Sequence, residues 1–187
     1  MMIYTRKGDD GTTGLLYGGR VAKDAPGPTA YGSVDEAQAA IGVARAATRA
    51  APGDSPGELG DILLGLERDL WVLMAELATD PSHHDRLTDG QSRVTSSMVA
   101  ALEQLIDEVS DSFEPPTEFV LPGESLVAAH LDVARTVVRR AERDAVAVAI
   151  DGSHALAYLN RLSDLLWTLA RWQEGASVTA RSVEVVR

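Results

Sequence analysis

Four arginines fall within nine residues of the stretch "ARTVVRRAER", at positions 135, 139, 140 and 143. Arg135, Arg139 and Arg143 follow one another at four-residue steps, which stacks them along one stripe of a helix. Planar guanidinium forks match phosphate oxygens in both charge and geometry, so such a stripe can hold an anion. It can also be a solvated face laced with ion pairs, because Glu142 lies three residues after Arg139. Like charges four apart on a helix repel by about 0.2–0.5 kcal/mol per pair. The whole chain carries a formal net charge of −11, so the gathering of cations asks for a partner. Val133, Val137, Val138 and Ala141 surround the arginines in the sequence and are expected to run the stripe along the border of a core.

A second candidate is the amino-terminal stretch "YTRKGDDGTTGLLYGGRVAKD". Its glycines leave backbone N–H groups unobstructed, Thr12 and Thr13 add hydroxyls, and Arg6, Lys7 and Lys23 add cations. Such a segment can wrap a polyphosphate through amide nests. The GxxxxGK[ST] spacing of a P-loop is absent, and an unstructured terminus has a similar composition. A third candidate is "YLNRLSDLLWTLAR". Asn160 and Asp164 share a helical face, and Arg161 and Asp164 are three apart and can pair. Here a helix–helix hydrogen-bond device competes with a ligand contact. His83, His84 and Asp85 offer metal-ligand types in a Pro/Ser/Asp loop, where solvated histidines are the simpler reading. His130 and His154 stand alone. No Ser-His-Asp or paired-carboxylate arrangement can be argued from spacing.

The bulk composition limits what these groups serve. The 187 residues fit one domain, 45% of them hydrophobic and only 5% aromatic, a balance that leans toward helix. With a pI near 4.7, nucleic acid and anionic lipid are repelled unless basic residues cluster. The chain has no cysteine, which excludes disulfides and thiolate metal sites. No apolar run approaches the ~20 residues that span a bilayer, and residues 1–24 lack the apolar core of a signal peptide. A cytoplasmic protein that binds neither membrane nor nucleic acid is expected.

The elements that must position the candidates read as follows. Residues 1–30 form a Gly-rich leader with strand-like pieces at "MIYT" and "GLLYG", closed by "KDAPGP" at 23–28, whose two prolines break structure. Ser33 and Glu36 have capping-box spacing, with Asp35 in the first turn, which predicts a helix over 33–49. After the turn "APGDSPG", Leu63, Leu66, Leu70, Leu73 and Leu77 mark one face of a helix over 58–79. Residues 80–93 lack an apolar period and read as an exposed loop. Further helices are predicted over 95–113, 125–150 and 154–175. The connector 114–123 carries Phe119, Val120 and Leu121, too apolar for a bare loop, so part of it is expected to be tucked in. The tail ends in "SVTARSVEVVR", which reads as a strand. The fold class is all-α, a five-helix antiparallel bundle over 31–176 with the leader at 1–30 and the tail at 177–187, in a single domain.

Taken in order, "YTRKGDDGTTGLL", "GGR", "KD", "AYGSVDEAQAAIG", "FVLPG", "ARTVVRRAER" and "NRLSDLLWTLAR" resemble the PduO-type ATP:cob(I)alamin adenosyltransferases, or corrinoid adenosyltransferases, from Ile3 to about Glu174. The resemblance implies a homotrimer of five-helix bundles with active sites between subunits. It implies transfer of the 5′-deoxyadenosyl group of ATP to the cobalt of cob(I)alamin, with release of triphosphate and formation of adenosylcobalamin. Thr5, Arg6, Lys7, Gly8, Thr13, Gly14 and Lys23 are then expected near the nucleotide. Arg139, Arg140, Glu142 and Arg143 match a second ATP-contacting motif, and Asn160 a further contact, with Arg161 and Asp164 supporting it. Asp35 and Arg135 look like an inter-subunit ion pair. Phe119 matches a hydrophobic residue that displaces the lower axial ligand of cobalt, with Trp167 near it. Mg²⁺ is implied as a companion of ATP, held through the phosphates rather than by side chains. A flavoprotein reductase and an adenosylcobalamin-dependent acceptor enzyme are implied partners. A catalytically silent module that binds or delivers the cofactor, and a purely structural helical trimer, are the competing readings.

The chain departs from the family pattern at Lys7, where Thr is common, and at Ala37 and Gln38, where Leu and Asn are common. It departs again at Glu124 and Asp132, where Gly and His are frequent. The resemblance fits the residue chemistry. The corrinoid carries the difficult step, so the protein has to align C5′ with cobalt and stabilise charge on the leaving triphosphate. No general base is required.

Overall fold

Proline at a helix start costs nothing, because its missing N–H would have no intrahelical partner there. That rule decides where the first helix begins. The computed structural model describes residues 3–49 and 57–183. In it α1 spans Pro26–Ala47, with proline in its first turn and no side-chain cap. The start expected at Ser33 is therefore seven residues late. Ser33 lies inside the helix and donates to Asp144 at 2.6 Å, and Glu36 pairs with Arg140, so neither residue serves as a cap.

The remaining helices are α2 (Gly57–Leu77), α3 (Ser96–Ser110), α4 (Leu126–Ala145) and α5 (Ala155–Glu174). Thr95 and Ser125 cap α3 and α4 by accepting from Met98 N and Ala128 N, each such cap contributing about 1 kcal/mol. α4 ends five residues before the expected 150. Gly175, at φ 69°, ends α5 in the left-handed region that glycine adopts without strain.

The helices form a bundle in which α1 packs on α2 and α4, and α5 packs on α4 and α3. Cross-links show that neighbours run antiparallel. Ser33–Asp144 and Glu36–Arg140 join α1 to α4. Asn160–Glu142 and Arg171–Asp132 join α5 to α4. The core is aliphatic, with Ile41, Leu63, Leu70, Leu73, Leu131, Leu159, Leu162, Leu165, Leu166 and Leu169 fully buried. Burial of each such side chain stabilises by about 1.5–3 kcal/mol, and this sets the stripes of α4 and α5 that are left to face outward. Val133, expected to flank the core, is instead 55% exposed.

The leader is a hairpin rather than two strands at "MIYT" and "GLLYG". β1 (Thr12–Gly14) pairs antiparallel with β2 (Arg20–Ala22). Gly18 and Gly19, both at positive φ, make the turn between them. Leu16 forms an isolated parallel bridge with Thr79, which fastens the hairpin to the end of α2. Residues 80–93 are more ordered than expected. A 3₁₀ turn covers Pro81–Arg86 with Asp80 as its cap, and Leu87 and Val94 are buried. The connector and tail behave as the apolar run requires, since Val120 is buried and bridges Thr179 antiparallel. Val185 and Val186 of the expected tail strand lie outside the described residues. No helix among the described residues is long and apolar enough to cross a membrane.

Candidate functional site

The leader hairpin is stapled by its own polar groups. Asp10 accepts from Thr12 N at 2.9 Å and from Thr12 Oγ1 at 2.8 Å, and these bonds hold its carboxyl below the usual carboxylate range. Arg20 donates to Thr12 Oγ1 and to the carbonyl of Lys7, which folds the segment before β1 back onto the hairpin. Lys23 N donates to Gly11 O at 2.9 Å, and the Lys23 side chain lies over Gly8. A Cβ added at Gly8 would sit 3.1 Å from Lys23 Nζ and 3.2 Å from Thr12 O. Glycine is needed there for close approach. Lys7, Gly8 and Lys23 are thus folded onto the hairpin that carries Thr13 and Gly14, with Thr5 and Arg6 just before it in the chain. Arg6 adopts φ 59° with its guanidinium over the Tyr4 ring, and the Lys7 and Lys23 ammonium groups form no ion pair among the described residues.

The arginine stripe divides into paired and unpaired members. Arg135 pairs with Asp132 on its own helix at 3.0 Å, and Arg140 pairs with Glu36. Arg139 and Arg143 are exposed and make no ion pair or side-chain hydrogen bond among the described residues. Glu142 forms no ion pair with either of them among the described residues; its carboxylate accepts from Asn160 Nδ2 at 3.0 Å. Asn160 Oδ1 in turn accepts from Arg161 at 2.6 Å. Arg161 pairs with Glu103 at 2.9 Å and with Asp164 at 3.8 Å. Glu142, Asn160, Arg161 and Asp164 are therefore one polar ladder along the α4–α5 groove, with two uncompensated guanidinium groups beside it.

Both parts lie at the same end of the bundle. A cavity of about 370 Å³ is lined by Leu15, Val21 and Ala25 on the leader side and by Ala147, Val148 and Ile150, just past the end of α4, on the other. Asp35, by contrast, does not meet Arg135 within the chain. The register set by Ser33–Asp144 and Glu36–Arg140 puts Arg135 level with residue 41, roughly 9 Å along the axis at 1.5 Å per residue. Phe119 is 77% exposed, an unusual state for a phenylalanine whose neighbour Val120 is buried. Trp167 lies under Arg171, whose guanidinium carbon is 5.9 Å from the ring.

His83 and His84 belong to no group of three or more metal-ligating side chains among the described residues; His84 Nε2 meets the carbonyl of Thr79 at 3.0 Å. Sequence reasoning missed two buried groups. Glu76, 3% exposed, accepts from Val94 N at 2.6 Å and from Ser153 at 2.5 Å, tying α2 to the loops that precede α3 and α5. Asp132 is joined by Arg171, 2% exposed, at 2.5 Å. A charged residue inside an otherwise apolar helical face was the available signal for both.

A family model described as cobalamin adenosyltransferase matches residues 3–173, which takes in the leader, the arginine stripe and the α4–α5 ladder. The chain belongs to the cobalamin adenosyltransferase family. A corrinoid adenosyltransferase of Citrobacter freundii is 43% identical over 175 residues, covering 92% of this chain and 94% of the relative. One of Mycobacterium tuberculosis is 42% identical over 197 residues, covering 95% and 96%. Among solved structures, a phenylalanine-to-alanine variant of the PduO-type ATP:corrinoid adenosyltransferase of Lactobacillus reuteri, complexed with cobalamin and ATP, superposes with a TM-score of 0.81. That match is at 28% identity and covers 96% of this chain and 99% of the other. Membership makes the chain a transferase, an ATP:corrinoid adenosyltransferase built as a helical bundle.

Proposed function

We propose that the leader hairpin and the unpaired guanidinium groups of Arg139 and Arg143 together grip the triphosphate of ATP while a corrinoid docks against Phe119. The observation that carries this reading is the state of Arg139 and Arg143. They are exposed cations without an ion-pair partner among the described residues, in a chain of net charge −11, beside a carboxylate already engaged by Asn160. Lys7, Lys23 and the leader amides supply the facing donors. Glu142 and Asn160, locked to one another, offer their remaining polar atoms to the nucleoside.

In the reaction, cobalt(I) of the reduced corrinoid attacks C5′ of ATP. The Co–C bond forms as the C5′–O bond breaks, and the electron pair leaves with triphosphate. Cobalt is formally oxidised to Co(III), and no proton needs to move. The residues named align C5′ with cobalt, an arrangement that can lower a barrier by up to ~7–11 kcal/mol, and stabilise the charge gathering on the leaving oxygen. Mg²⁺ would be held through the phosphate oxygens of ATP, and when bound it would neutralise part of that charge. Phe119, held outward on a connector whose neighbouring valine is buried, offers an apolar wall that excludes a lower axial donor from cobalt.

The active site is completed by a second copy. Val43 of α1 and Val133 of α4 are 50% and 55% exposed, and the α1–α4 register brings them level on one face. Burying that face in a homotrimer would let Asp35, exposed and unpaired within the described residues, reach Arg135 of a neighbouring copy. The reductase that supplies cob(I)alamin and the enzyme that accepts adenosylcobalamin remain partners by reaction chemistry, in a cytoplasmic setting. Anaerobic mixing of the protein with ATP, Mg²⁺ and reduced cobalamin tests the reading. A light-sensitive cobalt–carbon product is expected, and Phe119→Ala should lower turnover far more than ATP affinity. Equal turnover in that variant would refute the role of Phe119.

A further inference from the structure

Phe119 sits on a segment that has almost nothing of its own to hold it. Between Glu114 and Glu124 the chain has no helix or strand, and three of its residues are proline. Among the described residues, its backbone makes two hydrogen bonds, both to the tail: Ala180 N donates to Phe119 O at 2.8 Å, and Leu121 N donates to Val178 O at 2.8 Å. These bonds flank the antiparallel bridge between Val120 and Thr179. An exposed ion pair, Arg181 with Glu118 at 3.5 Å, continues the pairing. The phenyl ring therefore points where the tail directs it.

The tail is itself fastened by a buried charge group. Ser177 Oγ donates to Glu174 Oε1 at 2.5 Å. The Glu174 side chain, 0% exposed, lies 3.2 Å from Arg171 Nε. Arg171 Nη2 donates to Asp132 Oδ2 at 2.5 Å, and Asp132 Oδ1 accepts from Arg135 at 3.0 Å. Two carboxylates and two guanidinium groups thus balance one another where α4, α5 and the tail meet. Burying charges costs several kcal/mol per ion and returns little stability when they are paired, so such a group is better explained by the geometry it fixes. That geometry is the departure angle of residues 175–182, which turn at Gly175 and run back along the connector.

We propose that Asp132, Arg171 and Glu174 are positioning residues for Phe119, acting through the tail: the buried ion group sets the tail, and the tail's pairing with residues 119–121 sets the ring against the lower face of the corrinoid. This rests on the reading of Phe119 as the residue that clears the lower axial ligand, and it adds how the ring is held. It also gives Asp132 a role that a histidine could not fill in the same way, since a neutral imidazole cannot accept from two guanidinium groups at once.

The experiment uses the full-length protein with ATP and Co(II)cobalamin, and reads the four-coordinate Co(II) fraction by electron paramagnetic resonance and visible absorption. ATP affinity is measured on the same samples by calorimetry. Ala180→Pro removes the N–H that donates to Phe119 O at an exposed site outside the bundle, and Glu174→Gln weakens the anchor. Each should lower the ratio of four- to five-coordinate cobalt by about fivefold, the size of one net hydrogen bond, with ATP affinity within twofold of the parent. Wild-type cobalt coordination in both variants, or a parallel fall in ATP affinity and four-coordinate cobalt, would overturn the inference while leaving the Phe119 reading intact. A parent protein that binds ATP yet yields no four-coordinate cobalt would overturn both.

Discussion

Asn160 donates its side-chain amide to the carboxylate of Glu142 across the α4–α5 groove at 3.0 Å. Glu142 stands three residues from Arg139, a spacing at which the two could pair on one helix face. The carboxylate is turned toward α5, while Arg139 and Arg143 are exposed and make no ion pair among the described residues.

Arg139→Ala should reduce kcat by about 10²–10³-fold, the loss typical when one donor to a developing oxyanion is removed. Arg139→Lys should restore only part, because an ammonium replaces a planar fork by a point charge. Steady-state turnover with pre-reduced cobalamin is the measurement. Parent-level kcat in Arg139→Ala would place the triphosphate elsewhere.

Gly8→Ala tests the leader separately. Its new methyl would meet Lys23 Nζ at 3.1 Å and the fixed carbonyl of Thr12 at 3.2 Å. The side chain can yield and the carbonyl cannot, so the hairpin has to shift. ATP should bind about fivefold to tenfold more weakly, which corresponds to roughly 1–1.4 kcal/mol of local overpacking. The melting temperature should not move, because the hairpin lies outside the core. Calorimetric titration with ATP, alongside thermal unfolding, separates the two quantities.

Stability at alkaline pH should depend on Tyr158. This residue is fully buried and donates to Asp69 Oδ2 at 3.1 Å. Burial, followed by the charge of Asp69, pushes its pKa well above the usual tyrosine value. A raised folded-state pKa means that the stabilisation is fully present below the unfolded value of about 10 and is lost as pH rises beyond it. Tyr158→Phe should cost about 1 kcal/mol at pH 8. Urea unfolding of both proteins should show that deficit shrinking as pH climbs past 10. A deficit independent of pH would contradict the linkage.

Much of this site was legible in the residue types. The arginine spacing, the glycine-rich leader and the leucine periodicity marked out α4, the leader hairpin and the buried helix faces, because each rests on local chemistry that the chain cannot hide. The exposure of Phe119 and the burial of Val120 also agree with an apolar connector that is only partly tucked in. What the sequence withheld depends on tertiary partners. Ser33 and Glu36 have the spacing of a cap, yet two prolines upstream supply a better start, and both side chains reach α4 instead. Arg140 belongs to the stripe by spacing but is paired with Glu36 across the bundle. Asp132 reads as a departure from the family pattern, and its reason appears only when Arg171, 39 residues away, closes on it.

That same aspartate changes what is expected of the subunit contact. An isolated buried ion pair loses about 3–5 kcal/mol when one partner is removed, since the other charge is left bare. Arg135 would not be left bare, because Asp132 holds its Nε at 3.0 Å whether or not a neighbouring Asp35 is present. Asp35→Ala should therefore cost only the direct charged hydrogen bond, about 1.5–3 kcal/mol per contact. Arg135→Ala should cost more, since it also strips the buried Asp132 of one of its two guanidinium partners. For the proposed homotrimer, sedimentation velocity over a dilution series should show the Asp35→Ala assembly dissociating at higher concentration than the parent, and the Arg135→Ala assembly at higher concentration still. Unchanged assembly in both would mean that the α1–α4 face carrying Val43 and Val133 is not where the copies meet.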